Sequence, residues 1–219
     1  MKQLLKSLIF LLPVTVLTVA CNNDDDYNYP NVYTEFVDLK TNGSGSVDKL
    51  ITDEGKIWNV NILQGLTNLV NDTTYRTVSK FVPDLSSSDS KATLYTSQGV
   101  IAPIPQLKNQ FKTIITDAVE LTSIWRSGNY INIILNVLVK DKTHKYHFVQ
   151  DRIEKDKNGV QTLYITLYHD NNDDYPAFYR TTYLSVPLWH YNNILNKGDN
   201  IVIDINTYKD GFISKEFTF

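Results

Sequence analysis

The sequence predicts an all-β fold in which a small barrel is followed by a β-sandwich. Short segments rich in Val, Ile, Thr, Tyr and Phe recur along the chain, and turn residues bound each of them. Hairpin-type turns fit the gaps, as at 53–55, 157–159, 197–199 and 209–211, whereas helical periodicity is scarce. The predicted strands are 32–40, 57–62, 76–82, 92–95, 130–140, 145–152, 161–169, 178–186, 200–208 and 212–219.

The barrel and the sandwich are separated by a break in the strand pattern. Two prolines, Pro103 and Pro105, interrupt that pattern. We therefore place the domain boundary between Pro103 and Thr122, with the barrel over 32–112 and the sandwich over 113–219. The first part has roughly five short strands, which suits a small barrel, and the second has six or seven, which suits a sandwich.

Individual segments carry further expectations about burial and helix. The apolar density of 130–138 predicts a central strand buried on both faces, whereas 162–168 alternates as a strand with one wet face does. The segment 105–115 has apolar residues at helical spacing, but its threonine and isoleucines suit an extended linker equally well. A short turn is expected at 188–195.

The first twenty residues have the pattern of a secretory signal. Lys2 and Lys6 precede an apolar stretch at 8–17, and small Ala20 directly precedes Cys21. A lipoprotein-type cleavage there would leave Cys21 as the acylated first residue of the mature chain. The apolar stretch is too short to span a bilayer, which needs about 20 apolar residues. Thr18 stands where such cleavage sites commonly have leucine, with Leu17 one position earlier.

An acidic run follows the cysteine. Asp24, Asp25 and Asp26 lie in a segment, 21–31, whose like charges predict a hydrated, flexible tether. The same run resembles the export signal that sends lipoproteins of Bacteroides-type bacteria to the outer face of the outer membrane. The two interpretations are compatible, and together they predict a surface-exposed outer-membrane lipoprotein.

The overall charge excludes some classes of partner. The formal net charge is −3, and it becomes −5 when the two signal lysines are removed. An acidic surface argues against DNA, RNA and anionic lipid headgroups. The membrane is therefore expected as a partner only through the lipid on Cys21, and the other partner is expected to be an envelope protein or a glycan.

Several patches of sequence, in shared order, resemble the NigD-like lipoprotein family of Bacteroides-type bacteria. They are the Cys21 leader with its aspartates and the segments 55–58, 124–132, 169–176 and 198–208. This resemblance implies an OB-like barrel followed by a β-sandwich, which coincides with the division drawn from the strand pattern. It implies no established biochemical role.

The residues that could take part in catalysis or bind a metal do not form a recognisable catalytic motif. His144 and His147 are three apart, and 146–149 is predicted to be a strand, where odd spacing sends them to opposite faces and argues against a shared metal. Nucleophile-elbow, dinucleotide and P-loop motifs are absent from the sequence, and no cofactor is expected. A carboxylate pair such as Glu154 and Asp170 would be needed for a hydrolase, which ranks third among the functions considered.

One acidic loop is a weak calcium candidate. Asp170, Asn172 and Asp174 place oxygens at alternating positions, as a calcium loop does. Tyr175 stands where such a loop has glycine, and Thr181 where it has glutamate. A solvated turn is the favoured interpretation.

Aromatic residues near polar loops are the candidate binding face. Tyr175, Tyr179, Trp189 and Tyr191 are the residues concerned, because exposed rings serve as interface anchors or stack on sugars. Most other aromatic residues, Trp58 and Trp125 among them, are assigned to the core or its rim. We expect a non-catalytic lipoprotein that binds an envelope protein, with glycan binding as the alternative.

Overall fold

The computed structural model describes residues 31–62, 66, 68–86 and 89–219. The predicted signal, Cys21 and the three aspartates that follow it lie outside the described residues. Asn31–Phe219 forms one compact unit. Among the residues described, no helix is both long enough and apolar enough to cross a membrane.

The N-terminal strands close into a five-stranded barrel. Its strand order is β1-β2-β3-β5-β4, with β4 paired back to β1, and only β3 and β5 run parallel. This arrangement confirms the OB-like barrel. The strands are β1 (Tyr33–Thr41), β2 (Val47–Thr52), β3 (Ile57–Ile62), β4 (Thr74–Asp84) and β5 (Lys91–Gly99).

The remaining strands form the two sheets of a sandwich. One sheet has the order β13-β12-β10-β9-β6 and the other the order β11-β8-β7. The strands are β6 (Gln106–Leu107), β7 (Glu120–Ser127), β8 (Tyr130–Val139), β9 (Lys145–Lys155), β10 (Gln161–Asp170), β11 (Phe178–Pro187), β12 (Asn200–Thr207) and β13 (Gly211–Thr218). Short 3-10 helices occupy Lys108–Gln110 and Leu188–Tyr191.

The all-β prediction is confirmed, and the missed elements have physical reasons. The sequence pattern misses β2 and β7 because charged residues such as Asp48, Lys49 and Arg126 lower the apolar content of these segments. The segment 105–115 is extended apart from one 3-10 turn, and its Leu107 is exposed. β6 lies ahead of residue 113, where the sandwich was predicted to begin.

Each part has its own core. Every second residue of β8 is fully buried between the two sheets, and the strand is central in its sheet as predicted. On the opposite face Asn132 is buried but Ile134, Asn136 and Leu138 are half-buried, so the prediction of burial on both faces holds only at Asn132. β10 alternates as predicted. The barrel core is smaller and contains Trp58. The fully buried sandwich residues include Ile131, Ile133, Leu135, Phe148, Leu163, Ile165, Leu184, Ile201 and Ile203.

Candidate functional site

A buried ionic network joins the barrel to the three-stranded sheet. Arg76 of β4 is its centre: Nη1 lies 2.6 Å from Asp53 Oδ1 and 3.3 Å from Asp38 Oδ1. Its Nη2 donates to Asp53 Oδ2 and to Asn132 Oδ1, both at 2.9 Å. Nε donates to Ser185 Oγ at 3.3 Å. Because Asn132 and Ser185 belong to the sandwich, one guanidinium from the barrel binds side chains of both parts.

Aromatic rings enclose this network. The Tyr130 ring lies 3.8 Å from the Arg76 guanidinium carbon, and its hydroxyl donates to Asp38 Oδ2 at 3.1 Å. Burial, together with the neighbouring Asp38 carboxylate, raises the pKa of Tyr130 to about 12. Burial also raises the pKa of Asp38, although Arg76 opposes this effect. Phe36 of the barrel meets Trp125 of β7 edge to face, with ring centroids 5.3 Å apart.

A glycine allows the two backbones to approach at this junction. Gly128, in the turn between β7 and β8, has φ +53°, and an added Cβ would lie 2.0 Å from the Asp53 carbonyl oxygen. No side chain fits there. The junction, which we define as Arg76, Asp38, Asp53, Asn132 and Gly128, therefore depends on both a buried charge network and a bare backbone contact.

A cleft of about 610 Å³ opens beside the junction. Asp38 and Arg76 line it from the barrel, and Asn129, Tyr130 and Trp189 line it from the sandwich. Its size is within the usual range for small-ligand sites, about 300 to 1,000 Å³. The cleft therefore offers exposed indole and amide groups beside a half-buried carboxylate.

The predicted aromatic face is divided by the fold. Tyr175 and Tyr179 are 68% and 58% exposed at the start of β11, whereas Trp189 follows the end of that strand and lines the cleft. Ten residues of β11 place the two groups roughly 30 Å apart. Tyr191 is fully buried, and its hydroxyl bonds to Gln150, so its assignment to a binding face is corrected.

Two aromatic residues that the sequence did not single out extend the group at the start of β11. Phe178 and Tyr208 are 51% and 45% exposed. Tyr179 pairs with Leu138, whose N–H donates to the Tyr208 hydroxyl at 3.3 Å. Tyr179 and Tyr208 also line a common hollow of about 470 Å³. We call Tyr175, Phe178, Tyr179 and Tyr208 the aromatic end of the sandwich.

The loop that carries Tyr175 is held by a buried carboxylate. Asp174 accepts hydrogen bonds from the backbone N–H groups of Lys140, Asp141 and Lys142, at 2.6, 3.2 and 3.2 Å. Burial by itself would raise the pKa of Asp174, but these three donors and the His144 ring hold it well below its usual range. The carboxylate therefore fastens the loop between β10 and β11 to the loop between β8 and β9.

The same loop does not have the geometry of a calcium site. Asp174 Oδ1 and Oδ2 accept backbone N–H groups, and Asp170 Oδ2 lies 3.2 Å from Lys145 Nζ. Lys142 Nζ donates to the carbonyl oxygens of Asn172 and Asp173, at 3.0 and 2.8 Å, so an internal ammonium occupies the loop. Within the described part of the chain, no group of three or more His, Cys, Asp or Glu is arranged to hold a metal ion.

Two histidines, His144 and His169, are in contact beneath the loop, whereas His144 and His147, which are three apart in the sequence, are not. His144 Nδ1 lies 3.0 Å from His169 Nε2, and His169 Nδ1 lies 2.9 Å from the Asp117 carbonyl oxygen. His144 Nε2 is 3.4 Å from Asp174 Oδ2. His147 bonds instead to the backbone of its neighbour Phe148. No sequence spacing points to His144 and His169, because they lie 25 residues apart and meet only through the fold.

The carboxylate pair named from the sequence, Glu154 and Asp170, is not formed. Glu154 and Asp170 lie at opposite ends of the β9–β10 pairing, roughly 25 Å apart. Asp38 and Asp53 are close together but both bind Arg76.

Fold and junction together define a class of protein: an OB-like barrel joined to a β-sandwich through a buried arginine. The model of the NigD-like C-terminal β-sandwich domain matches residues 102–219. A NigD-like immunity protein from Bacteroides caccae is 30% identical, with a TM-score of 0.72 over 87% of this chain and 99% of that one. The chain therefore belongs to the NigD-like family.

More distant solved structures share the fold. A protein of unknown function from Bacteroides vulgatus is 15% identical, with a TM-score of 0.66 over 86% of this chain and 91% of that one. A protein described as a candidate lipoprotein from Bacteroides fragilis is 16% identical, with a TM-score of 0.56 over 86% of this chain and 97% of that one. A comparison with curated proteins finds no significant match.

Proposed function

We propose that this protein is a non-catalytic lipoprotein of the outer membrane, anchored through Cys21 and displayed at the cell surface, that binds an envelope protein through its aromatic end. The acidic tether after Cys21 would hold the folded part away from the bilayer. The barrel would stiffen the opposite part of the sandwich through the junction.

The observation that carries this proposal is the presence of four exposed rings where β11 begins: Tyr179 and Tyr208 share a hollow, Tyr175 precedes the strand, and Phe178 lies on the opposite face of the strand from Tyr179. Tyr and Phe are enriched at the centres of protein interfaces because they bury a large apolar area with little loss of side-chain entropy. Cations lie beside them: Lys140 Nζ is 5.7 Å from the Tyr175 ring and the Arg180 guanidinium is 5.9 Å from the Phe178 ring. This composition suits a protein partner with an acidic rim.

The descriptions of relatives agree with a binding role. The Bacteroides caccae relative is described as an immunity protein, and the Bacteroides fragilis neighbour as a candidate lipoprotein. Neither description implies catalysis. A binding protein attached to the envelope is consistent with both.

The proposal is tested by brief crosslinking of intact cells, followed by affinity purification of the tagged lipoprotein. The variant Tyr175→Ser/Tyr179→Ser removes two of the four rings. Tyr95→Ser, which alters a tyrosine on the barrel that is 41% exposed, is the matched control. We expect a reproducible protein partner that is lost with the double variant and kept with the control. Equal recovery with all three proteins would contradict the assignment.

Surface display is tested separately. Changing Asp24, Asp25 and Asp26 to alanine should leave folding intact and retain the protein in the periplasm. Protease added to intact cells should then degrade the wild type and spare the variant. Degradation of both proteins would show that the acidic run is not needed for export to the surface.

Glycan binding is a second candidate, favoured by the cleft. Trp189 is 44% exposed and lines the cleft with Tyr130, Asn129 and Asp38. Sugars bind sites that combine an exposed ring with polar groups in this way. A Cβ at Gly99, which lines the cleft, would meet open space, so Gly99→Trp adds a large side chain at the cleft without a backbone clash. Binding to an array of defined oligosaccharides that is lost in both Gly99→Trp and Trp189→Ala would establish this function. Absence of binding by the wild type would exclude it for those sugars.

A further inference from the structure

His144 and His169, the histidine pair, lie between two groups that only accept hydrogen bonds. At one end is the Asp117 carbonyl oxygen, 2.9 Å from His169 Nδ1, and at the other is the Asp174 carboxylate, 3.4 Å from His144 Nε2. The two rings contact each other at 3.0 Å. His169 is 1% exposed and the His144 side chain 4%, so water does not replace these partners.

The number of protons along the row of contacts from the Asp117 carbonyl oxygen to the Asp174 carboxylate gives the charge of the histidine pair. Each of the three contacts joins two atoms with lone pairs, and each is attractive only if one proton lies between them. Two neutral imidazoles carry two protons, which leaves one contact as a lone pair facing another. With two protons, a bare nitrogen faces an acceptor at one end, either His144 Nε2 against the Asp174 carboxylate or His169 Nδ1 against the Asp117 carbonyl oxygen, or the two bare nitrogens face each other. Three protons satisfy all three contacts.

We propose that the histidine pair shares three N–H protons near neutral pH, carries one positive charge as a unit, and is the buried counterion that holds Asp174 and its loop in place. The resulting ion pair lies where the carboxylate also accepts three backbone N–H groups. Asp174 thereby gains a charged partner as well as neutral donors. A buried carboxylate with an ionised partner is much less costly than one without.

Addition of a second charge to the pair disrupts the arrangement. A fourth proton places a hydrogen on each of the nitrogens now 3.0 Å apart, so the contact becomes repulsive. Burial, and in addition the positive charge on His144, lower the pKa of His169 below its usual value, which agrees with resistance to this step. Binding of the fourth proton on acidification therefore separates the rings and loosens the Asp174 loop.

Charged and titratable groups surround the pair on every side. The Tyr146 ring stacks on His169, with centroids 4.8 Å apart. Arg180 lines the same hollow as His144, and Lys142 and Lys145 bind the adjoining loop. The remaining neighbouring groups are Asp117, Asp141, Asp170, Asp174 and Lys140. The histidines are the members of this set whose ordinary pKa lies between pH 5 and 8.

This inference rests on the proposed function in one respect only. Asp174 directly precedes Tyr175 and accepts its backbone N–H at 3.0 Å. Loosening of the loop should therefore weaken partner binding at the aromatic end in acid. The number of protons on the histidine pair does not depend on a binding partner, and it is measured on the isolated protein.

Nitrogen NMR of protein labelled at its four histidines tests the count directly. Imidazole nitrogen shifts separate protonated from bare nitrogens, and His147 and His190 serve as references in the same spectrum. At about pH 7.5 we expect three protonated nitrogens in the histidine pair. Two protonated nitrogens would overturn the proposal, whatever the outcome of the partner experiments.

Amide hydrogen exchange tests the consequence for the loop. On moving from about pH 7.5 to about pH 5, protection of the Lys140, Asp141 and Lys142 amides should fall at least about tenfold as the fourth proton binds. In His144→Gln, which carries no charge at that position, protection at these amides should no longer change in this range. Unchanged protection in the wild type as the fourth proton binds would overturn the regulatory role. If the variant does not fold, the wild-type spectrum and protection data decide.

Discussion

Asp38 is a half-buried aspartate and Asp174 a fully buried one, and their surroundings have opposite effects on their charge. Asp38, at the junction, shares Arg76 with Asp53 and receives one tyrosine hydroxyl, and burial raises its pKa. Asp174, below the aromatic end, receives three backbone N–H groups and a histidine, and its pKa is lowered. The number of donors, rather than the depth of burial, decides whether a buried carboxylate keeps its charge easily.

The contrast separates a structural region from a region free to bind. At the junction Arg76 and Asp53 are buried and bound to each other, and Asp38 also binds Arg76, although it lines the cleft as well. At the aromatic end the carboxylate is turned inward to fix a loop, and the rings are left outside. The cations Lys140 and Arg180 remain beside those rings. The junction should therefore dominate stability, and the aromatic end should dominate recognition.

Removal of the junction arginine should have the largest effect on stability. Arg76→Met leaves Asp38 and Asp53 buried without a cation, and breaking such a pair costs about 3 to 5 kcal/mol. Urea unfolding followed by tryptophan fluorescence measures the loss. Adding Asp53→Asn should restore part of it, because one uncompensated charge is then removed. A loss below about 1 kcal/mol would show that the network does not hold the two parts together.

A single added methyl group at the junction should have the next largest effect. Gly128→Ala combines a left-handed backbone with a Cβ 2.0 Å from the Asp53 carbonyl oxygen, which together should cost about 2 to 5 kcal/mol. Gly211→Ala is the matched control, because its φ is +66° but nothing lies within 4 Å of its Cβ. It should cost about 1 to 2 kcal/mol. Equal losses in the two variants would mean that strain alone, and not the close contact, matters at Gly128.

Acid should act on the two regions in opposite directions. His169 has a lowered pKa, so the unfolded chain takes up its proton first, and stability begins to fall below about pH 6.5. Asp174 and Asp199 also have lowered pKa values, and their contributions are present above about pH 4 and lost below it. Asp38, with its raised pKa, offsets part of this loss. In Asp38→Asn, the free energy of unfolding should therefore fall more steeply with acid than in the wild type.

Changes at the aromatic end should have the smallest effect on stability. Tyr175→Ser/Tyr179→Ser removes only exposed rings, and its free energy of unfolding should stay within about 0.5 kcal/mol per site of the wild type. Thermal unfolding monitored by circular dichroism is sufficient to measure it. A loss comparable with that of Arg76→Met would indicate that these tyrosines support the fold and are not free for a partner.

The sequence predicts the strands well where apolar residues are dense or alternate regularly, as in β8 and β10. It misses β2 and β7, whose outer faces carry charges. It places Tyr175 and Tyr179 near polar loops, and both are exposed, but it cannot separate exposed Trp189 from buried Tyr191 two residues later. The distinction arises from a 3-10 turn that points one ring outward and the other into the core.

The polar clusters lie beyond what sequence patterns reveal. Arg76 is 38 residues from Asp38 and 56 from Asn132, and the closing of the barrel onto the sandwich is what brings them together. No local spacing encodes such a contact. Gly128 is the exception, because a glycine followed by asparagine directly before the strand-like segment 130–140 indicates a tight turn, although not what packs against it.

The most direct test of the account is site-specific photocrosslinking in intact cells. A photoreactive benzoylphenylalanine is placed either at Tyr179, in the aromatic end, or at Trp189, in the cleft. We expect a discrete crosslinked protein from position 179 and none from position 189. A protein crosslinked only from position 189 would contradict the account and move the binding site to the cleft beside the junction.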